Sequence, residues 1–153
     1  MSQTEQFRVV LLGFQGRAGV VREAERLHPL IAEHVTIVDS DFTGTKEMLE
    51  VEADLAIVFG GDGSILRAAH QMGAKQLPVV AVNLGRLGFL ADLSPDELPQ
   101  LLAELRPNEF SVIRHLMFQC DLMRGDRAVV SRLGLNEVSI LTGPSCSIMD
   151  IDL

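Results

Sequence analysis

Short apolar runs alternate with helical patterns along the first two thirds of the chain. Four runs are rich in Val, Ile and Leu and have the length of buried parallel strands: Arg8–Phe14, Val35–Ser40, Leu55–Phe59 and Val79–Asn83. Three stretches between them have a helical pattern: Val20 to Ile31, the short acidic piece Lys46–Glu52, and the stretch opened by GGDGS that runs to about Met72. This alternation predicts a Rossmann-like α/β domain built on a parallel sheet.

One further helix is predicted before the pattern changes. Ser94 is a good N-cap, and Glu97 completes a capping box with it. Pro95 fits the first helical position, and we expect this helix to end near Leu105. We interpret residues 1–107 as an α/β nucleotide-binding domain that carries the GGDG motif.

From Asn108 onward the pattern becomes that of strands, with no further helix. A hairpin turn is expected at Arg124–Arg127. The remaining strand-like runs are Arg127–Ser131, Asn136–Ile140 and Cys146–Leu153. We interpret residues 108–153 as the start of an all-β domain that is incomplete at Leu153.

Composition and charge narrow the functional classes. Of the 153 residues 47% are hydrophobic, enough for a folded domain with its own core. The net charge of −8 argues against charge-driven binding to nucleic acid, which requires a basic face. No apolar run approaches the ~20 residues of a membrane span, and the N-terminus lacks the pattern of a secretory signal. With two cysteines and no CxxC motif, neither a zinc site nor a disulfide framework is indicated, so we expect a cytoplasmic protein.

The glycine-rich turn FGGDGSIL directly follows the third predicted strand. Ligands of open α/β sheets bind at the carboxyl ends of the strands. The glycines of this turn allow positive φ and let a ligand approach the backbone. The N–H groups of Gly63, Ser64 and Ile65 are expected to face an anion at the helix N-terminus, which suits a phosphate.

Asp62 does not fit a simple anion-binding loop, because its carboxylate repels phosphate. The carboxylate becomes useful if it holds a metal ion or accepts a proton from a nucleophilic hydroxyl, and both roles belong to phosphoryl transfer. The alternative is that Asp62 only caps the following helix. The turn is not a Walker A loop, since no GK[ST] follows it. The stretch GFQGRAG is not a dinucleotide fingerprint either, since its glycines are spaced G-x-x-G-x-x-G.

Two later stretches carry further candidates. NLGRLGFL places Phe89 in a loop after the fourth strand, where its ring would pack either on a purine or in the core. LGLNEVSI places Asn136 and Glu137 at the mouth of a strand. This pair can bind ribose hydroxyls and an adenine amino group, or be a turn Asn beside a solvated Glu.

Taken together, GGDG, NLGRLGFL and LNEV, in this order, resemble the motifs of the NAD kinases. The similarity extends over nearly the whole chain from Arg8 onward, and the chain is similar to the N-terminal half of such a kinase. The resemblance implies that Asp62 is the proton acceptor on the 2′-hydroxyl of the NAD adenosine ribose. The substrate contacts that it implies are Gly61, Gly63, Arg67, Phe89, Asn136 and Glu137.

The same resemblance implies the substrates and partners. The phosphoryl donor is ATP or polyphosphate, a divalent metal ion such as Mg²⁺ is required, and the full-length protein is a homo-oligomer. No residue is assigned as a metal ligand. Two other hypotheses stay open: another kinase with a GGDG motif, of the phosphofructokinase or lipid-kinase type, and a nucleotide-binding fragment without catalysis.

Overall fold

A computed structural model gives the structure of the protein and describes residues 6–85, 88–107 and 109–142. The chain divides into two compact units, Met1–Arg114 and His115–Leu153. The elements of the first unit are β1 (Arg8–Leu12), α1 (Val20–Ala32), β2 (Thr36–Asp41), β3 (Leu55–Phe59), α2 (Asp62–Met72), β4 (Val79–Val82) and α3 (Leu98–Glu104). The elements of the second unit are β5 (Phe118–Arg124) and β6 (Arg127–Gly134).

The first unit has a four-stranded sheet in the order β2-β1-β3-β4, and its strands pair in parallel. Both faces of the sheet are buried, which explains why β1 and β3 are apolar at nearly every position. In β1, Val9 and Leu11 belong to a core shared with α1 and α3, whereas Val10 and Leu12 belong to a core shared with α2. The predicted α/β class with a parallel sheet is therefore confirmed.

The strand order places a switch point between β1 and β3. After β1 the chain moves to one side of the sheet to form β2, and then returns across β1 to form β3 on the other side. The loops that leave β1 and β3 therefore diverge and open a crevice at the carboxyl edge of the sheet, where doubly wound folds bind ligands. The GGDG turn begins at the end of β3 and lies at this edge.

Two predicted helices differ from the structure. Lys46–Glu52 is not helical, because the segment is tied to α2 by a hydrogen bond from the Met48 N–H to the Gln71 carbonyl, 2.8 Å long. The helix predicted from Ser94 begins three residues later than Pro95, at Leu98. The Glu97 half of the expected capping box forms, since the Ser94 N–H donates to the Glu97 carboxylate at 2.9 Å, but it closes a turn that precedes the helix.

The second unit is described as an antiparallel hairpin of β5 and β6, which confirms the turn predicted at Arg124–Arg127. Gly125 occupies the turn with φ +57, a conformation that favours glycine. The strand predicted at Asn136–Ile140 is wrong, since these residues have no regular structure. The strand predicted at Cys146–Leu153 lies outside the described residues. Within residues 115–142 there is no helix, and no helix of the described chain is long and apolar enough to cross a membrane.

Candidate functional site

The GGDG turn depends on one glycine for its shape. Gly60 has φ +135, and a Cβ atom there would overlap the Oγ of Ser64, so no other residue fits without strain. Of the three glycines of the turn, Gly60 is the one with positive φ, since Gly61 has φ −99 and Gly63 is helical. Nothing lies within 4 Å of the Cβ position of Gly63. The fold therefore requires Gly60, whereas Gly63 keeps the space above the turn open.

The free N–H groups of the turn are not those expected. Ser64 and Ile65 donate their N–H groups to the Gly61 carbonyl, at 2.8 Å and 3.4 Å. The prediction that these two N–H groups face an anion is therefore wrong. The N–H groups of Asp62 and Gly63, at the first two positions of α2, have no acceptor within the described chain. They are the orphan donors of the first helical turn, and they point to the site available for an anion.

Asp62 holds the loop that follows β4. Its Oδ2 accepts a hydrogen bond from the N–H of Phe89 at 3.0 Å, and its Oδ1 accepts one from the N–H of Leu90 at 3.0 Å. The N-cap of α2 is Gly61, with no side-chain cap. The alternative that Asp62 only caps α2 is therefore wrong, because its carboxylate bonds to a different segment.

The hydrogen bonds from Phe89 and Leu90 lower the pKa of Asp62 below its usual range, with a smaller contribution from Ala91. The carboxylate is therefore ionised at neutral pH. Each oxygen accepts one backbone hydrogen bond and has further acceptor capacity. Asp62 can thus hold the loop and still accept a hydrogen bond from a substrate hydroxyl.

Gly88 is a residue of this site that sequence reasoning missed. A Cβ atom at Gly88 would overlap Oδ1 of Asp62 and lie 2.8 Å from its Cγ. The absence of a side chain is what lets the loop backbone reach the carboxylate. The glycine in LGF is a signal for such close approach, but the sequence does not show which group approaches it.

Phe89 presents its ring to solvent. The side chain is 101% exposed, so the alternative of a core phenylalanine is wrong. Its N–H is fixed by Asp62, as described above, while the ring has no ring contact within the described chain. An exposed ring on an anchored backbone suits a stacking surface for a planar ligand.

Arg67 lies on α2 beside the loops that follow β1 and β2. Its guanidinium carbon is 4.0 Å from the centroid of the Phe14 ring, a cation–π arrangement. A Cβ atom at Gly44 would overlap the Cδ of Arg67, so that loop lies directly against the side chain. Arg67 therefore stacks on protein groups of the crevice edge.

A buried carboxylate fixes the loop after β2. Asp41 is 7% exposed and accepts hydrogen bonds from the N–H groups of Thr43 and Gly44, at 3.1 Å and 2.9 Å. The side-chain amide of Gln71 on α2 donates to it at 2.7 Å. Burial raises the pKa of Asp41, but the hydrogen bonds from Thr43, Gln71 and Gly44 together outweigh it, and the net pKa is lowered. The loop is thereby fastened to α2.

The second unit contains Asn136 and Glu137. Both are exposed, and they follow directly after Leu135, beyond the end of β6. They are therefore accessible within that unit. Their part in a site stays a prediction.

Arg17 is a second residue that sequence reasoning missed. It lies in the loop after β1, and its Nη1 is 3.3 Å from the Cβ position of Gly61. The side chain is exposed, and it has no ion-pair or hydrogen-bond partner within the described chain. Only the strand order brings this arginine beside the GGDG turn, so the sequence around Arg17 gave no signal by itself.

The described residues contain no group of three or more His, Cys, Asp or Glu that could hold a metal ion. Within the GGDG turn, Asp62 supplies the carboxylate that a metal ion could contact. One carboxylate does not make a resident metal site, but Mg²⁺ commonly binds through one or two carboxylates together with substrate phosphates. The arrangement fits a metal ion that arrives with a phosphorylated ligand.

Comparison with known proteins identifies the family. Residues 17–110 match the model of the ATP-NAD kinase N-terminal domain. A protein named NAD kinase from Rhodopirellula baltica is 44% identical over 146 residues, which cover 95% of this chain and 47% of that protein. A protein named NAD kinase from Pseudomonas entomophila is 32% identical over 162 residues, covering 97% of this chain and 55% of that protein.

The chain spans about half the length of the curated relatives it matches. Among solved structures, yeast NADH kinase complexed with NADH has a TM-score of 0.61 and 20% identity. That likeness covers 86% of this chain and 47% of the yeast chain, and it concerns the fold.

Proposed function

Since this chain belongs to the NAD kinase family, we propose that the protein transfers a phosphoryl group from ATP to the 2′-hydroxyl of the NAD adenosine ribose, giving NADP. The observation that carries the proposal is the setting of Asp62. Its carboxylate is ionised and held by the backbone of Phe89 and Leu90, at the carboxyl edge of a doubly wound sheet. A fixed carboxylate beside an open glycine turn suits the activation of a hydroxyl.

Asp62 acts by alignment more than by basicity. Phosphoryl transfer passes through a loose transition state, so catalysis consists mostly of positioning and charge stabilisation. A carboxylate with a lowered pKa is a weak base, but it accepts the hydrogen bond of the ribose hydroxyl at all pH values near neutrality. The hydroxyl proton then passes to Asp62 as the new O–P bond forms and the donor's β–γ bridge bond breaks.

The turn binds phosphate through its backbone. The N–H groups of Asp62 and Gly63 are free of protein acceptors within the described chain, and Gly63 has no side chain to exclude a ligand. Phosphate oxygens are well matched to such donors at the start of a helix. Gly61 also lacks a side chain, so it lets the phosphate approach the backbone of the turn in the same way. Arg67 adds positive charge near the crevice edge.

The adenosine end of NAD is assigned to the remaining predicted residues. Phe89 offers an exposed ring for stacking on adenine. Asn136 and Glu137 together provide amide donors and carboxylate acceptors, the groups that bind ribose hydroxyls and the adenine amino group. These three roles follow from the family resemblance and from the chemistry of the side chains.

A divalent metal ion, with Mg²⁺ as the expected ion, enters this proposal with the donor. When bound, Mg²⁺ neutralises phosphate charge and orients the triphosphate. Asp62 is the residue of the turn that would reach such an ion. Polyphosphate, an anion with the same repeating chemistry, is the second donor that the family resemblance implies.

Three further features belong to the same proposal. Residues 1–107 form the nucleotide-binding domain, and residues 108–153 belong to a second, β-rich domain. The full-length protein acts in the cytoplasm as a homo-oligomer. Size-exclusion chromatography with light scattering tests the oligomeric state, and cell fractionation tests the compartment.

The function is tested by assaying phosphoryl transfer with purified protein and Mg²⁺. NAD, NADH, fructose 6-phosphate and a diacylglycerol are offered as acceptors, and ATP and polyphosphate as donors. We expect NADP from NAD, and a loss of about 10²–10⁴-fold in kcat for Asp62→Asn, the range typical of general acid–base groups. Asp96→Asn is the matched control, because Asp96 is a 90% exposed surface carboxylate paired with Arg26.

Transfer to the sugar phosphate or the lipid in place of NAD would move the protein to another kinase class. Calorimetric binding of NAD and ATP without any NADP would support the nucleotide-binding alternative. A rate for Asp62→Asn equal to that of Asp96→Asn would remove Asp62 from the mechanism.

A further inference from the structure

We propose that Arg17 binds the phosphate groups of a substrate at the GGDG turn, as a further binding residue of the reaction proposed above. The inference rests on that proposed function for the identity of the ligand. It rests on the structure for the position and charge of the side chain. Its experiment has a binding readout that does not depend on turnover.

The position of Arg17 follows from the topology. The loop after β1 and the turn after β3 flank the switch point of the sheet, so they border the same crevice. Arg17 is anchored in that loop, because its N–H donates to the Phe14 carbonyl at 3.0 Å and its carbonyl accepts from Val20 at 3.4 Å. The guanidinium reaches the Gly61 backbone, with Nη1 at 3.3 Å from the Cβ position.

The other charged side chains near the turn have partners of their own, so Arg17 is available to bind a ligand. Lys46, in the loop after β2, pairs with Asp39 at 2.5 Å. Arg67 stacks on Phe14. The acidic residue next to Gly61 is Asp62, and its carboxylate is turned to the N–H groups of the loop after β4. Arg17 thus brings a positive charge to the turn without a carboxylate partner in the described chain.

A phosphate is the ligand that completes this arrangement. The planar guanidinium donates two parallel hydrogen bonds to phosphate oxygens. The free N–H of Gly63 offers a further donor on the same turn. In a protein of net charge −8, a local cation is also needed to offset the repulsion between Asp62 and an incoming phosphate. The phosphate belongs either to the triphosphate of ATP or to the pyrophosphate of NAD, and the experiment distinguishes the two.

The test compares Arg17→Ala and Arg17→Lys with wild type and with Arg22→Ala. Arg22 is the matched control, because it is an exposed arginine of α1 whose side chain has no ion-pair or hydrogen-bond partner within the described chain. Inorganic tripolyphosphate, ATP and NAD are each titrated by calorimetry at low and moderate salt. Circular dichroism melts confirm that each variant is folded, as expected for exposed positions.

We expect Arg17→Ala to weaken tripolyphosphate binding about tenfold, the effect of losing charge-assisted hydrogen bonds. Arg17→Lys should keep part of the affinity, since charge remains but the bidentate geometry is lost. If the affinity for ATP falls by a similar factor and that for NAD does not, Arg17 binds the triphosphate of the donor. If only the affinity for NAD falls, Arg17 binds the pyrophosphate of the dinucleotide. Added salt should weaken tripolyphosphate binding more in wild type than in Arg17→Ala.

Two results would overturn the proposal: equal tripolyphosphate affinity for Arg17→Ala and Arg22→Ala, or no binding of tripolyphosphate by wild type. The NADP assay decides the proposed function separately. Tripolyphosphate binding that depends on Arg17, without any NADP formation, would keep the phosphate site and reject the reaction. NADP formation with unchanged affinities in Arg17→Ala would keep the reaction and reject the role of Arg17.

Discussion

The carboxylate of Asp62 accepts a hydrogen bond from the backbone N–H of Phe89, with Oδ2 and N 3.0 Å apart. The proposed proton acceptor and the proposed adenine-stacking residue are therefore held in place by one shared hydrogen bond. A change on either side of this bond is expected to affect both nucleotide binding and turnover.

The close approach of Gly88 to Asp62 gives the first prediction. Gly88→Ala places a methyl group where Oδ1 of Asp62 now lies, so the carboxylate or the loop must move. A displacement of about 1 Å commonly reduces catalysis on the order of 10²-fold, and we expect that loss in kcat/KM for NAD. Steady-state kinetics measures it.

The control for Gly88→Ala is Gly85→Ala in the same loop, because nothing lies within 4 Å of the Cβ position of Gly85. This variant should retain near wild-type kinetics. If both variants behave alike, the bond between Asp62 and the loop has no part in catalysis.

Two of the three glycines of the turn, Gly60 and Gly63, should separate an effect on stability from an effect on binding. Gly60→Ala forces a side chain onto φ +135 and against Ser64, so we expect a loss of about 1–3 kcal/mol in the free energy of unfolding. Gly63→Ala meets no atom within 4 Å, so stability should stay equal or rise by up to ~1 kcal/mol. Its methyl group occupies the ligand space, so ATP or NAD affinity should fall.

Urea unfolding and calorimetry on the same samples check this pair of variants. An affinity for Gly63→Ala equal to that of wild type would show that phosphate does not approach this part of the turn.

Phe89→Ala should weaken the binding of NAD without destabilising the protein. The ring is 101% exposed, so its removal should change the free energy of unfolding by less than ~0.5 kcal/mol. Aromatic stacking contributes about 0.5–1.5 kcal/mol, which corresponds to a Kd for NAD raised about 2- to 12-fold. Ile113→Ala, at a residue that is 82% exposed, is the control for a generic loss of apolar surface. A stability loss without any change in Kd would contradict a stacking role.

Asp41 gives a prediction with a defined pH dependence. Its folded-state pKa is lowered, so ionised Asp41 stabilises the fold above its unfolded-state pKa, and this stabilisation is lost as pH falls through the folded value. Asp41→Asn should therefore cost about 1–3 kcal/mol at pH 7, when hydrogen bonds to the buried carboxylate are lost. The difference from wild type should shrink below about pH 4.

Urea unfolding at pH 7 and pH 3 measures the effect of Asp41→Asn. Glu52→Gln is the control, because Glu52 forms an exposed ion pair with Lys75, and such surface pairs contribute little to the free energy of unfolding. A cost for Asp41→Asn that is the same at both pH values would mean that the ionised carboxylate does not hold the loop.

Local patterns predicted the strands well because both faces of the sheet are buried. Leu55–Phe59 matches β3 at both ends, since every residue of that run is buried. Lys46–Glu52 was predicted as a helix and is not one, because a seven-residue segment has too little intrinsic helical stability to resist its bond to Gln71 on α2. The start of α3 was misplaced because the bond between the Ser94 N–H and the Glu97 carboxylate, expected at a helix N-terminus, here closes a turn ahead of the helix.

The sequence by itself determined the α/β class and the glycine-rich turn after β3, and it made Asp62 the candidate proton acceptor, because apolar runs and glycines act through local geometry. The tertiary structure decided the partners of that residue. Phe89 lies 27 positions from Asp62 along the chain, and Arg17 reaches the Gly61 backbone from the loop after β1. Such contacts depend on strand order and on how loops converge at one edge of a sheet, and neither is encoded in the spacing of a motif.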